Sequence, residues 1–236
     1  MDFSMFDRRG YPTVSVQAGY AEWADDYDAT VTSGLDHPLL DLLTSVDWQR
    51  VRLAADLACG TGRTAVWLKD HGVGAIHGVD LTQRMLDIAA SKHVHEQLHL
   101  ADVASTSLSS SAYDLCTLVL ADEHLAELEP VYREAARLLV KGGHFLVIGY
   151  HPFFLMRGMP THYHRSASRE PIAIRSYVHL FSEHFCAARR TDLTIAEFQE
   201  CIIDENWLIS KSKWRDYINW PVSFALVWSL RQVETS

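Results

Sequence analysis

Apolar and polar positions come in alternating blocks through the middle of the chain. Five short runs rich in apolar residues occupy residues 52–58 (RLAADLA), 75–81 (AIHGVDL), 98–102 (LHLAD), 113–121 (YDLCTLVLA) and 144–150 (HFLVIGY). Such runs predict strands buried on both faces. Stretches with helical spacing lie between them. Residues 63–70 predict a helix closed by the HGVG turn at 71–74. Thr82 predicts a helix N-cap, with Met85, Leu86 and Ile88 on one face. Leu125, Leu128, Tyr132, Ala135 and Leu138 predict a helix ended by the KGG triplet at 141–143. Strands alternating with helices predict a parallel sheet covered on both sides, with right-handed crossovers. A sheet of this kind takes its ligand beyond the carboxyl ends of its strands, near the reversal of strand order.

The flanks read differently. Residues 1–50 hold an aromatic and acidic stretch, GYAEWADDYD, then HPLLDLLTSV, which predicts a helix. Residues 151–176 are rich in His, Arg, Pro and Met and predict a long loop or lid. A helix is expected over about 178–190. Strands are expected at DLTIAEFQECI (192–202) and VSFALVWSL (222–230), which can pair antiparallel at a sheet edge.

Composition narrows the class of ligand. At 236 residues and 48% hydrophobic, the chain can bury a sizeable core as one domain. A net charge of −9 argues against a nucleic-acid partner, whose footprint is a basic stripe. Cys59, Cys116, Cys186 and Cys201 show no CxxC pairing and predict reduced thiols, as in the cytosol. There is neither a signal-peptide pattern nor an apolar stretch near the ~20 residues of a membrane span. The expectation is a soluble, cytoplasmic protein with no membrane partner.

The chemistry gathers at the ends of the first runs. Gly60 and Gly62 interrupt the passage from strand to helix, and GTGRTA fits the G-x-G-x-x-G/A turn that holds a dinucleotide pyrophosphate. Asp56 lies shortly before that turn, where a carboxylate would repel a pyrophosphate but suit a ligand carrying an ammonium group. Asp80 ends the second run, a position that can hold ribose hydroxyls. Asp102 ends the third and can accept a hydrogen bond from an adenine amino group. Three acids at successive strand ends would surround a cationic adenosyl ligand without phosphates.

Taken in order, DLACGTGR, GVDLTQRML, LHLADV and YDLCTLVLADEHL resemble the successive motifs of class I S-adenosylmethionine-dependent methyltransferases. The similarity is to the small-molecule branch of the ubiquinone/menaquinone-biosynthesis type (methyltransferase type 11-like). GYAEWADDYDA also resembles that branch's N-terminal segment, in which aromatics close over the cofactor. One position departs: Ala58 stands where the family usually has glycine. The resemblance implies an α/β fold, Rossmann-like and doubly wound. Its mostly parallel seven-stranded sheet would carry an antiparallel C-terminal edge hairpin, an N-terminal helical cap and a lid after strand five. It implies S-adenosyl-L-methionine as cofactor. Gly60 and Gly62 would contact the methionine part through the backbone, with Ala58 and Ala121 near it, and Asp56 would help orient its amino group, directly or through water. Asp80 would take the ribose hydroxyls. Leu81 and Met85 would line the adenine, with Asp102 and Val103 at its amino edge. Tyr20 and Tyr27 would close over the cofactor.

For the acceptor, the candidates are Trp23, Tyr150, His151, Phe154 and His162, with His124 bordering the methyl group. Their aromatic weight suggests a small, flat acceptor methylated at O, N or C. His124 is the candidate general base, needed only if the acceptor must lose a proton. His151, His162 and His164 lack the three or four convergent ligands of a metal site, so no metal is expected. The chain reads as one methyltransferase domain over 1–236, divided into a cap (1–50), a cofactor-binding core (51–150), a lid and acceptor segment (151–176) and a C-terminal helix and strands (177–236). It is expected as a monomer or homodimer. The alternatives are an NAD-type oxidoreductase, resting on GTGRTA, and a non-catalytic S-adenosylmethionine-binding protein.

Overall fold

The computed structural model describes residues 1–31, 33–210 and 212–231, with all side chains among them except those of Ser33, Ser210 and Lys213. In chain order the N-terminal part forms β1 (Thr13–Val14), α1 (Val16–Thr30) and α2 (His37–Leu42). The core follows as β2 (Leu53–Leu57), α3 (Arg63–Asp70), β3 (Ala75–Asp80), α4 (Gln83–Ser91), β4 (Gln97–Leu100), β5 (Tyr113–Val119), α5 (Glu129–Leu138) and β6 (Leu139–Tyr150). The remainder forms α6 (Pro152–Met156), β7 (His162–His164), β8 (Pro171–Ile174), α7 (Phe181–Arg189), β9 (Leu193–Ile202), α8 (Glu205–Ser210) and β10 (Pro221–Leu230).

Seven strands make the main sheet, in the order β4-β3-β2-β5-β6-β10-β9. The first five are parallel, while β10 runs antiparallel to both β6 and β9. This is the expected architecture, with one refinement: β10 inserts between β6 and β9, so of the two C-terminal strands β9 is the one at the edge. Strand order reverses between β2 and β5, which places the ligand-binding crevice beyond Leu57 and Val119. Both faces of the sheet are covered. One packs Tyr132, Ala135 and Leu138 of α5 against Phe145 and Trp228, and the other packs Leu39, Leu40, Trp67 and Leu68 against Leu146 and Ile148. Of the stripe read from the sequence, Tyr132, Ala135 and Leu138 are buried on α5, while Leu125 and Leu128 precede its first residue.

Three expectations need correction. KGG does not cap α5. The helix ends at Leu138, and Lys141, Gly142 and Gly143 lie inside β6. The ladder jumps there from Tyr113–Leu139 to Leu115–His144, and Gly142 sits at φ 78°. The turn residues form an irregularity in a strand that had already started. The first and fourth runs also stop short, because Ala58 (φ 56°) and Leu120 (φ 53°) turn left-handed just past β2 and β5.

Residues 151–176 are not an irregular lid. They hold α6, β7 and β8, and β8 pairs with β1 from the N-terminus in a separate three-stranded sheet ordered β1-β8-β7. Tyr163, Ile172 and Ile174 are buried there, packed by Val14, Val16, Tyr20 and Trp23. Residues of the N-terminal stretch and of 151–176 are therefore joined in one small sheet with its own apolar cluster.

Candidate active site

The glycine turn joins β2 to α3 at the strand-order reversal. Cys59 N–H donates to the Val79 carbonyl, and Gly62 N–H donates back to the Cys59 carbonyl at 2.8 Å, which closes the turn tightly. Gly60 has φ +53°, and a Cβ built on it meets no atom within 4 Å, so its backbone faces open space. Gly62 has φ +83°, and a Cβ there would lie 2.9 Å from the His95 ring. Both positions need glycine, the first for approach from outside and the second for packing beneath. Ala58, where the motif has glycine, also adopts a left-handed backbone, at a cost of about 1 kcal/mol for a residue with a Cβ.

Asp80 braces the turn from the end of β3. One carboxylate oxygen accepts Gly60 N–H at 2.9 Å and the other accepts Thr82 N–H at 2.8 Å. Burial pushes its pKa up against these two hydrogen bonds. Each oxygen keeps lone-pair capacity toward the cavity, which is what a vicinal diol requires.

A cavity of about 320 Å³ opens over this turn. Ala58, Gly60, Asp80, Leu81, Met85 and Asp102 line it on one side. Val103, Ala121, His124, Tyr20 and Tyr27 complete the predicted set that reaches it. Asp102 also starts a turn, accepting Ala104 N–H at 2.8 Å.

Gly62 and Asp56 are not among the lining residues. Gly62 lies outside the wall as the N-cap of α3. Asp56, expected to help orient the amino group directly or through water, makes no direct wall of the cavity. Its side chain is buried under the turn, where one oxygen accepts the Thr117 hydroxyl at 2.7 Å. The other lies 3.8 Å from His95 Nε2 and has no hydrogen-bond partner. Strand alternation explains this, since Asp56 shares the β2 face of Ala54 and so faces inward.

Helix α1 is fastened across the cavity. Asp28 accepts the Thr61 hydroxyl at 2.6 Å and pairs with Lys92 Nζ at 2.6 Å. Gln17 donates to the Leu81 carbonyl, and Arg84 pairs with Asp25. Arg63, next in the glycine motif, lines the cavity beside Asp36, 3.5 Å away. The sequence reading did not assign Arg63, although it stands in the quoted motif.

A second cavity of about 790 Å³ adjoins the first where Tyr20 and Tyr27 of one wall meet Trp23 of the other. Trp23, Tyr150, Phe154 and His162 line it, together with Tyr163 and Trp214. Trp23 stacks on Tyr163 at 5.7 Å and on Tyr20 at 5.9 Å. His151 lines neither cavity. Its Nε2 meets Glu200 at 2.8 Å and its Nδ1 accepts Phe153 N–H, which ties α6 to β9.

The loop after β5 lines the first cavity through Leu120, Ala121 and His124 and carries Asp122, Glu123 and His124, all poorly accessible. His124 Nε2 is 2.8 Å from the Tyr20 hydroxyl, and its Nδ1 is 2.8 Å from the Arg175 carbonyl oxygen. Burial lowers its pKa to about 4. Burial, with Asp122 beside it, holds Glu123 up at about 8. Asp122 ends a second buried polar chain, through His184 to Tyr132 and Trp228. Neither acid was singled out from the sequence, because a polar DEH triplet after a strand reads as an exposed turn. Among the described residues, no group of three metal-ligating side chains is present and no helix is long and apolar enough to cross a membrane. All four cysteines are free thiols.

Comparison with known proteins agrees with this geometry. The methyltransferase domain family matches residues 55–147. A demethylmenaquinone methyltransferase from Thermus thermophilus is 32% identical over 102 residues, covering 41% of this chain and 46% of that protein. Methyltransferase-like protein 27 from Homo sapiens is 33% identical over 96 residues, 39% of each chain. The chain thus spans less than half the length of these curated relatives. Among solved structures, an S-adenosylmethionine-dependent methyltransferase from Mesorhizobium loti superimposes with TM-score 0.67 at 18% identity, covering 84% of this chain and 98% of that one. Motif order, sheet order and domain match converge, and residues 55–147 form a class I methyltransferase domain of the S-adenosylmethionine-dependent kind.

Proposed function

We propose that the whole protein is an enzyme moving the methyl group of S-adenosylmethionine to an O, N or C atom of a small aromatic or heteroaromatic metabolite. The observation that carries this reading is the pair of adjoining cavities. One is built on the glycine turn and Asp80, the other is walled by aromatic side chains, and their walls meet where Tyr20 of the first stacks on Trp23 of the second.

The first cavity's donor set fits S-adenosylmethionine. Asp80 would accept the ribose hydroxyls, the Gly60 region would pass the methionine part, and Arg63 would face its carboxylate. Leu81, Met85 and Val103 would line the adenine, with Asp102 at its amino edge. When bound, the cofactor supplies an electrophilic methyl group on a sulfonium. The chain's own contribution is to align the acceptor and exclude water. Trp23, Tyr150, Phe154 and His162 would flank a flat ring, and the α1 fastenings would keep the cap closed over it. His124, directly or through Tyr20, would hold a proton at Nε2. The same reading takes 1–236 as one domain working in the cytoplasm, as monomer or homodimer, without a nucleic-acid partner.

Calorimetric titration with S-adenosylhomocysteine and, separately, with NAD tests the cofactor. Binding of the first and not the second is expected, and NAD binding would overturn the assignment. Release of S-adenosylhomocysteine across a panel of aromatic acceptors tests the activity. A protein that binds S-adenosylhomocysteine and methylates none of them would be a binder only.

A further inference from the structure

His124 has a defined tautomer. Its Nδ1 lies 2.8 Å from the Arg175 carbonyl oxygen, which can only accept, so Nδ1 carries the proton. Nε2 therefore holds the lone pair, and the Tyr20 hydroxyl 2.8 Å away donates to it. Tyr20 Oη keeps its own lone pairs, and both residues line the first cavity. Behind the ring, Glu123 Oε1 lies 3.6 Å from Nε2 and accepts the Thr161 hydroxyl at 3.4 Å. Thr161 lines the second cavity. Glu123 is 1% exposed, and its Oε2 has no hydrogen-bond partner. Polar groups thus reach from Tyr20 in the first cavity to Thr161 in the second, with one gap of 3.6 Å between His124 Nε2 and Glu123 Oε1.

We infer, resting on the methyltransferase reading, that the acceptor is a hydroxyl compound of phenolic type whose proton leaves through Tyr20 Oη to His124 Nε2, with Glu123 as the positioning residue. The balance is simple. The acceptor O–H bond breaks and its proton joins Tyr20 Oη, while the proton Tyr20 held passes to Nε2. The acceptor oxygen takes the methyl carbon in place of the proton, and the C–S electron pair stays on sulfur. The positive charge lost from sulfur reappears on the imidazole ring. Tyr20, placed over the cofactor by its sequence context, here gains a second role.

The electrostatics suit this relay. Burial holds His124 neutral above about pH 4, so its Nε2 is open at neutral pH. Glu123 stays protonated until about pH 8, and above that its charge stands next to Nε2 and favours imidazolium. The other groups facing this centre are Asp122 on the same loop, Tyr20 and Tyr27 from α1, Asp80 beyond β3 and Tyr150 at the end of β6. Acceptor turnover is therefore expected to rise through about pH 8, and to lose that step in Glu123→Gln.

The test uses the full chain with nitrogen-15-labelled histidine. NMR is expected to show His124 with a protonated Nδ1 and no titration between pH 5 and 8, with the Nε2 shift moving in Tyr20→Phe. A ring that titrates at an ordinary histidine pKa, or that carries its proton on Nε2, overturns the relay whether or not any acceptor is known. Turnover is then followed with phenols and with pyridine-type acceptors, which have no proton to lose. Tyr20→Phe is expected to lower kcat on phenols by ~10²-fold or more, the usual scale for a lost proton acceptor. Its S-adenosylhomocysteine affinity should fall far less. Phenol turnover at the wild-type rate in Tyr20→Phe, or wild-type turnover of pyridines alone, overturns the inference and leaves methyl transfer standing. Failure of the unaltered chain to bind S-adenosylhomocysteine instead removes the reading beneath it.

Discussion

Asp28, near the end of α1, accepts a hydrogen bond from the hydroxyl of Thr61, the middle residue of the glycine turn, at 2.6 Å. The same carboxylate pairs with Lys92 just past α4. One side chain thus joins the cap to the cofactor turn. Asp28→Ala is expected to change global stability by less than about 1 kcal/mol, since partly exposed ion pairs contribute little. Limited proteolysis within residues 16–31 should speed up by several-fold, because the cap loses its fastening. Equal cleavage rates in the two proteins would show that Asp28 does not restrain α1.

Asp80→Ala removes both the acceptor for Gly60 N–H and the proposed ribose contact. S-adenosylhomocysteine affinity should drop by about 1–3 kcal/mol, the scale of hydrogen bonds to a charged acceptor. Calorimetry on a variant with unchanged circular dichroism checks it, and unchanged affinity would remove Asp80 from the ribose assignment.

Asp56→Ala should behave in the opposite way. Its carboxylate is bound to Thr117 beneath the turn and lines neither of the two cavities. The expected loss is about 1–3 kcal/mol of stability in urea, from an orphaned buried hydroxyl. The loss in S-adenosylhomocysteine affinity should be smaller than in Asp80→Ala. A larger affinity loss than in Asp80→Ala would restore Asp56 to the ligand.

Glu123 ties stability to pH. Its folded pKa, about 8, lies above its ordinary value of 4.5. Between these values the native state holds a proton that the unfolded chain has lost. Its contribution is therefore complete below 4.5 and is lost as pH rises to 8. Glu123→Gln has no such proton, so its stability relative to wild type should improve by up to about 1.4 kcal/mol per pH unit across that window. His124 titrates in both proteins and largely cancels from the difference. Urea melts at pH 5, 6.5 and 8 check this, and a flat difference would mean that Glu123 ionises normally.

The sheet, the glycine turn and Asp80 were legible because local pattern determines them. Continuous apolar runs fix parallel strands, and a carboxylate at a strand's end must face the crevice. Asp56 lies off the cavity wall because it comes one position too early. Within β2 the side chain follows strand alternation and not the strand's end. Asp122 and Glu123 were missed because their burial depends on neighbours distant in sequence, Gly149, Thr161 and His184. A Cβ at Gly149 would lie 2.1 Å from Asp122 Oδ1, so the glycine in β6 makes room for an acid in another loop. The small sheet escaped notice for the same reason, since β1 has two residues and no periodicity to display.

That small sheet sets an order on how the molecule is made. Thr13 aligns with Ala173 across roughly 160 residues of chain, a closure whose entropic cost falls on very few hydrogen bonds. The main sheet needs no such reach, as β2, β3 and β4 are near neighbours in sequence and can zip up first. A half-built molecule would therefore own its glycine turn before it owned an aromatic chamber. Substitutions in β1 and β8 would then leave the pairing of β2, β3 and β4 untouched.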